Sequence, residues 1–372
     1  MKSIIILIVF AVFVLSISAD EDPPGFAEFK AEHEQAFARY TFQQDSLFIA
    51  YQDELEILWN EFVESTPYEW VSYDDVFHTR GRVNFQGGEI KVEALVESGS
   101  GNQENQAKNM IKEQLVDLLN QTDQTEQNIL QDQIINPLDK NETIDDNNVE
   151  TVSNKILDNA EKTIIQGRDG IERVKYTITL DMVPNHIQIR AEKYKKTIEE
   201  RCQRFEIEPS LVMAIIHTES YFNPKAYNRH GNAYGMMQIV PKYAGKLMNS
   251  ELYHKNSEPG SYELFNPETN IEMGVGYLRW LADNKWQDVK SNVNRMYCMI
   301  CSYNGGPGSV YQAMTGKMKK IETEKWNKMF SDLNTMNNEQ LYQHLCQKIP
   351  FEETRNYLRK VKERINEIYS EI

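Results

Sequence analysis

The spacing of apolar positions along the chain changes character several times. A solid apolar run from Ile4 to Ile17 comes first. From Phe26 to about Val63 the pattern is helical: the stretch Phe29 to Phe42 has no Gly or Pro and carries aromatics at helical spacings. Short strand-like pieces follow. Glu69–Tyr73 is one, and Gly81–Phe85 with Glu89–Val96 reads as a hairpin turned by Gly87-Gly88. In the second arm Ile90, Val92 and Ala94 alternate with charged or larger residues. A helix is predicted over 107–119. Residues 121–149 are rich in Gln, Asn and Asp, and read either as a long loop or as a weak helix followed by a loop through Pro137 to Asn148. A further helix is predicted over 150–165 and a strand over 172–180. These elements make an α+β domain.

After Pro184 the pattern turns all-helical. Ile187–Phe205 is a charged amphipathic helix, and Glu208-Pro209 opens the next, with Pro suited to the first helical position. Helical signals continue to Ile372, broken by Gly and Pro clusters near 223–241, 257–267 and 304–308. The expected organisation is a leader at 1–19, an α+β domain over 20–184 with a polar loop near 121–149, and a mainly α-helical domain over 185–372.

The leader has a positive start at Lys2, a short apolar core, the small residues Ser18 and Ala19, and then Asp20-Glu21-Asp22. That is the layout of a secretory signal peptide, with cleavage expected after Ala19. The alternative is an uncleaved anchor, but the run is shorter than the roughly 20 residues that span a bilayer. No cysteine near the junction offers a lipid attachment point. We therefore expect an exported protein, periplasmic in a Gram-negative host, either soluble or peripherally associated with the wall or membrane. The four cysteines, Cys202, Cys298, Cys301 and Cys346, read as buried helix-packing thiols or as one disulfide between helices, rather than as a metal or redox site. A net charge of −16, with lysines interleaved among acids, argues against nucleic acid as a partner.

The chemistry concentrates in one segment. Leu211-Val-Met-Ala-Ile-Ile-His-Thr-Glu219 is an apolar helix that runs into a carboxylate and breaks at Asn223-Pro224. Partial desolvation there raises a carboxyl pKa, and a protonated carboxyl near neutral pH is what a general acid for glycosidic cleavage needs. Taken alone, the residue reads better as a helix-end surface glutamate. Other segments change that: Asn228-Arg-His-Gly-Asn-Ala-Tyr-Gly-Met-Met-Gln238, then Ser302-Tyr303-Asn304-Gly305-Gly306, then Glu353-Thr-Arg-Asn-Tyr357.

Glu219-Ser-x-Phe-Asn-Pro, Gly235-Met-Met-Gln238, Tyr303-Asn304-Gly305-Gly306 and Glu353-Thr-x-x-Tyr357, in that order, resemble the lytic transglycosylases of the goose-lysozyme-like superfamily over about residues 190–370. The resemblance implies a lysozyme-like helical domain with a groove for a peptidoglycan glycan strand. It implies that Glu219 is the catalytic acid/base and that Tyr303 hydrogen-bonds and orients it. It further implies that Met237 and Gln238 line the groove, that Tyr357 lies near the active site, and that Asn304 serves structure or substrate. Two positions depart from the family pattern: Asn228, expected with Tyr357 among the substrate-binding residues, stands where a serine is common, and Gly-Met-Met-Gln replaces Gly-Leu-Met-Gln.

Between Ser220 and Ser250 there is no Asp or Glu, which fits a mechanism with one carboxylate rather than the usual two. The expected reaction cleaves the β-1,4 bond between MurNAc and GlcNAc and closes a 1,6-anhydro ring, with no cofactor and no metal. The expected partner is the glycan strand, and cell-wall synthesis or remodelling proteins are left open. The alternatives are a hydrolytic muramidase and a non-catalytic peptidoglycan-binding protein. His217 is expected to point away from Glu219 as a packing or surface residue. His78 reads as a surface residue, His230 as a loop residue beside the groove, and Trp280, Trp286 and Trp326 as core or groove-edge aromatics.

Overall fold

The computed structural model describes residues 46–99, 101–145, 147–316 and 323–370. The expected leader lies outside these residues, as does the greater part of the helix expected over 26–63. Of that helix, α1, residues 46–59 are described. Residues Glu56–Ile372 group together as one compact unit.

In chain order there follow β1 (Glu69–Tyr73), β2 (Thr79–Asn84), β3 (Glu89–Glu97), α2 (Gln103–Leu119), β4 (Ile135–Asn136), β5 (Asp139–Thr143), α3 (Val149–Ile156), β6 (Glu161–Gln166) and β7 (Glu172–Asp181). Five of these strands form an antiparallel sheet in the order β1-β2-β3-β7-β6. The expected hairpin is present, with Asn84 opposite Glu89 and Gly88 at φ +69° in its turn. The alternation in β3 does what period-2 patterning requires. Ile90, Val92 and Ala94 are fully buried and share a core with Ile111, Leu115 and Leu118 of α2.

Two expectations for this half are corrected. The helix expected over 150–165 stops at Ile156, and β6 occupies 161–166 as an edge strand, with Ile164 opposite Val174. Thr163, Ile164 and Ile165 are β-branched, and a ladder with β7 suits them better than a helical turn. The polar stretch 121–149 is not one long loop or weak helix. It holds the β4–β5 hairpin and buries Ile129, Leu130, Ile134 and Ile144. Side-chain oxygens cap its turns: Asp123 accepts from the Thr125 amide, Asn128 from Leu130 and Asn136 from Leu138.

The second half comprises α4 (His186–Phe205), α5 (Pro209–Ser220), a small hairpin of β8 (Tyr227–Asn228) and β9 (Ala233–Tyr234), α6 (Lys246–Tyr253), α7 (Ser261–Phe265), α8 (Pro267–Asn284), α9 (Asn292–Gly305), α10 (Pro307–Thr315), α11 (Thr323–Thr335), α12 (Asn338–Lys348) and α13 (Glu352–Glu367). Every residue of α5 from Leu211 to Thr218 is buried. A helix with no polar face belongs in the middle of a bundle, and α5 packs against α4 and α13. Trp286 is fully buried and donates to Ser302 Oγ at 3.0 Å. Trp280 stacks on Tyr277. The side chain of Trp326 lies outside the described ones. All four cysteines are buried free thiols, and burial pushes Cys202, Cys298 and Cys301 upward in pKa.

The two halves have separate hydrophobic cores, but polar side chains cross between them. Arg190 of α4 is almost wholly buried. Its guanidinium donates to the Phe85 carbonyl (2.8 Å), Gln133 Oε1 (2.7 Å) and the Tyr221 carbonyl (3.0 Å). Among the described residues no carboxylate accepts from it, and burial lowers its pKa to about 9. Lys225 reaches Gln121 Oε1 at 2.6 Å and sits over the Trp70 ring. Tyr194 donates to Asp123 at 2.9 Å.

Candidate active site

Glu219 sits in the last turn of α5. The helix ends because Tyr221 and Phe222 adopt left-handed backbone, φ +53° and +61°, which turns the chain out of the core just past the carboxylate. Glu219 is half-buried. The phenol of Tyr357, from α13, donates to its Oε1 at 2.7 Å. Burial raises the Glu219 pKa to about 7, with Tyr357 pulling it down and Glu353 adding to the rise. A carboxyl poised there is partly protonated at neutral pH, so it can give a proton and later take one back.

The segment 234–238 is held beside this acid by Asn270 of α8. Fully buried, Asn270 accepts from the Met237 amide at 2.7 Å and donates to the carbonyls of Tyr234 (2.8 Å) and Leu264 (2.9 Å). Gly235 is required at this point: its φ is +72°, and a Cβ there collides with Asn270 and the Leu264 carbonyl. Ser220 ties the same segment to α5 through the Met236 carbonyl at 2.8 Å. Beyond it opens a groove of about 430 Å³ lined by Gln238, Val240, Tyr243, Tyr277, Tyr303 and Asn304, among others. Gln238 holds φ +49° and donates to the Gly235 carbonyl at 2.9 Å. Its Oε1 is buried with no hydrogen-bond partner among the described residues.

The residues singled out in the sequence do converge here, but not all as expected. The donor to Glu219 is Tyr357, not Tyr303. Tyr303 donates instead to the Met237 carbonyl at 2.7 Å and so braces the segment next to the acid. Burial and the nearby Glu219 charge raise the pKa of both phenols, which keeps them protonated as donors. Met237 does not line the groove: its side chain is fully buried against Gly274, and only its backbone faces this network. Asn228 spends its Oδ1 on the Gly231 amide at 3.0 Å and shapes the 228–233 turn. Asn304 accepts from Thr354 at 2.6 Å and donates to Glu353 at 3.3 Å, bridging α9 to α13 at the groove edge.

His217 is buried, as a packing residue. It lies among Tyr221, Phe222 and Tyr369, with Nδ1 3.1 Å from the Tyr369 hydroxyl. Burial and neighbouring arginines drop its pKa to about 3, so it stays neutral. His230 is exposed in its loop and His78 is partly exposed. Residues that the sequence did not single out complete the surroundings. Glu353 is a second carboxylate that acts electrostatically on Glu219; it lay in a recognised motif but had no role assigned. Arg364 donates to Thr218 at 2.5 Å and to Tyr221 at 3.1 Å, bracketing the acid. Only the fold brings Asn270 into place. Among the described residues, no group of three or more His, Cys, Asp or Glu side chains is arranged to hold a metal ion.

A family model for the transglycosylase SLT domain matches residues 196–326. A second, for the N-terminal domain of membrane-bound lytic murein transglycosylase C, matches 31–193. Among curated relatives, membrane-bound lytic murein transglycosylase C of Sodalis glossinidius (strain morsitans) is 31% identical, over 97% of this chain and 98% of the relative. The protein of the same name from Yersinia pestis (strain Pestoides F) is 30% identical, over 97% of each. Among solved structures, the 70-kDa soluble lytic transglycosylase of Escherichia coli matches 46% of this chain and 23% of its own length, at 26% identity and a TM-score of 0.34. Aligned over nearly its whole length with these relatives and matched by both family models, this chain belongs to the membrane-bound lytic murein transglycosylase C family, and is a lytic transglycosylase of peptidoglycan.

Proposed function

We propose that Glu219 alone performs the acid and base steps, and that the product carries a 1,6-anhydro-MurNAc end. The supporting observation is a half-buried carboxyl with a pKa near 7, held by one phenol beside a groove. Protonated Glu219 gives its proton to the oxygen between MurNAc and GlcNAc as the C1–O bond breaks. The substrate's own acetamido group stabilises the cation. The carboxylate then takes the proton of the C6 hydroxyl as the O6–C1 bond forms. Water is not consumed, and the acid returns to its starting state. Help of this kind is worth about 10²–10⁴-fold.

The supporting roles follow the contacts. Tyr357 orients Glu219. Tyr303 and Asn270 fix the Met237 backbone. Gln238, with its unused buried acceptor, takes a donor from the sugar, and Asn304 shapes the groove edge. Asn228 acts through its turn. We also place the division between the sheet-bearing part and the catalytic part near residue 185, and the protein in the periplasm, at the wall or the membrane face; the curated relatives are named as membrane-bound. No helix among the described residues is long and apolar enough to cross a membrane.

Mass spectrometry of digested sacculi tests this reading. Wild type is expected to release muropeptides with anhydro-MurNAc ends, and Glu219→Gln to release none. Reducing MurNAc ends from wild type, or cleavage by the variant, refutes it. A hydrolytic muramidase has one feature in its favour, the carboxylate of Glu353 beside Glu219. Its exposed position and its bond from Asn304 fit an electrostatic part better than a water-activating one.

A further inference from the structure

One helix delivers the acid and another orients it, so the junction of α5 with α13 has to keep its register. α13 meets the last turn of α5 at two polar points, Tyr357 and Arg364. They are seven residues apart, two turns along one helix face and about 10 Å along the axis. Leu358 and Val361 of α13 are fully buried. Apolar side chains hold packed helices together but set no sharp register; directional hydrogen bonds do.

Arg364 spends its fork on α5. One terminal nitrogen donates to Thr218 Oγ1 at 2.5 Å and the other to the Tyr221 hydroxyl at 3.1 Å. Both acceptors are neutral hydroxyls rather than carboxylates, and they stand on either side of Glu219. Thr218 is buried, and its own hydroxyl donates back to the Ala214 carbonyl at 2.6 Å. The guanidinium carbon lies 5.2 Å from the centroid of the Tyr221 ring. Arg190 grips the same residue from its other end, donating to the Tyr221 carbonyl at 3.0 Å. A planar fork on two fixed acceptors defines an orientation that a single ammonium does not.

We propose that Arg364 is a positioning residue of the transglycosylase reaction: its two-point grip on Thr218 and Tyr221 sets α5 against α13 so that the Tyr357 hydroxyl meets Glu219. It acts through that one bond. The proposal rests on the reading of Glu219 as the acid. The titratable groups that act on or feel Glu219 are Tyr357 and Glu353 of α13, Tyr303 of α9 and Tyr68 ahead of β1. Of these, Tyr357 pulls the Glu219 pKa down, so loosening its bond moves the alkaline limb of the pH profile upward.

Initial rates on purified sacculi across pH test it in a double-mutant cycle, with the full-length chain throughout. Arg364→Met is expected to lower kcat about tenfold or more, with KM within about twofold, and to move the alkaline limb upward. Arg364→Lys, which keeps the charge and loses the fork, is expected to behave in the same way. In the Tyr357→Phe background either change is expected to alter kcat by less than about twofold and to leave the limb in place. Where Arg364→Met fails to fold, the paired change Thr218→Val with Tyr221→Phe removes both acceptors and is expected to give the same pattern. Arg359→Met, which frees a bond from α13 to the Cys346 carbonyl, is expected to keep wild-type kcat and pH profile. Wild-type kcat and profile in Arg364→Met overturn the proposal. So do equal losses with and without the Tyr357 hydroxyl, wild-type behaviour of Arg364→Lys, or an upward limb in Arg359→Met. Cleavage by Glu219→Gln counts against the functional reading alone, because the Arg364 result is read as a difference between the two Tyr357 backgrounds.

Discussion

Replacing Glu219 with Gln should do two opposite things, and the second is the sharper test. It should abolish turnover, and it should make the protein more stable at alkaline pH. The carboxyl is raised from 4.5 to about 7 by burial. At 1.36 kcal/mol per pH unit that corresponds to about 3 kcal/mol, or about 2–3 after allowing for solvent access to a half-buried group. The sign follows from proton linkage. Below about pH 4.5 folded and unfolded chains both hold the proton, and the site costs nothing. Between 4.5 and 7 the unfolded chain gives it up while the folded chain keeps it, so stability falls as pH rises. Above 7 the folded chain carries a buried carboxylate and the full penalty applies. Gln removes the charge and keeps the shape. Urea denaturation of both proteins at pH 5 and pH 8.5 measures the effect. The variant's advantage should grow by about 1.5–2 kcal/mol between the two conditions, since part of the penalty is already present at pH 5. An advantage that is the same at both pH values refutes the raised pKa, and with it the argument that Glu219 is protonated when needed.

Other perturbations have equally definite signs. Tyr357→Phe removes the bond that holds the Glu219 pKa down, so the alkaline limb of the kcat/KM–pH profile should move upward while kcat falls about a hundredfold. Glu353→Gln removes a charge that pushes the same pKa up, so that limb should move downward. Arg190→Met strips a buried donor from the carbonyls of Tyr221 and Phe85 and from Gln133, and denaturant titration should show a loss of roughly 1–3 kcal/mol. Gly235→Ala drives a Cβ into Asn270 and the Leu264 carbonyl at a positive φ; activity on sacculi should collapse because Gln238 is displaced.

The contrast between Tyr303 and Tyr357 shows what a sequence can and cannot convey about this site. Both were visible as motif tyrosines, and Glu219 stood out because an apolar helix delivered it. Which phenol reaches the acid depends on how α9 and α13 cross α5, and no local pattern encodes a crossing. Met237 illustrates the same limit. Its position in the motif is clear, but the gap at Gly274 that swallows its side chain lies on another helix. In the first half, period-2 alternation makes the β2–β3 hairpin plain, whereas β6 carries no strand signal, because an edge strand with Ile164 exposed has little alternation to show.

Arg190 bears on how the molecule comes apart. Its guanidinium has acceptors in the sheet-bearing half and at the end of the catalytic helix, and neither set can be released without leaving a charge in an apolar interior. Two hydrophobic cores joined in this way should melt as one cooperative transition, with no state in which the helical half stands alone. A truncation that begins at α4 keeps the arginine and discards two of its acceptors, so the helical half cut out alone should be less stable than it is in the full chain.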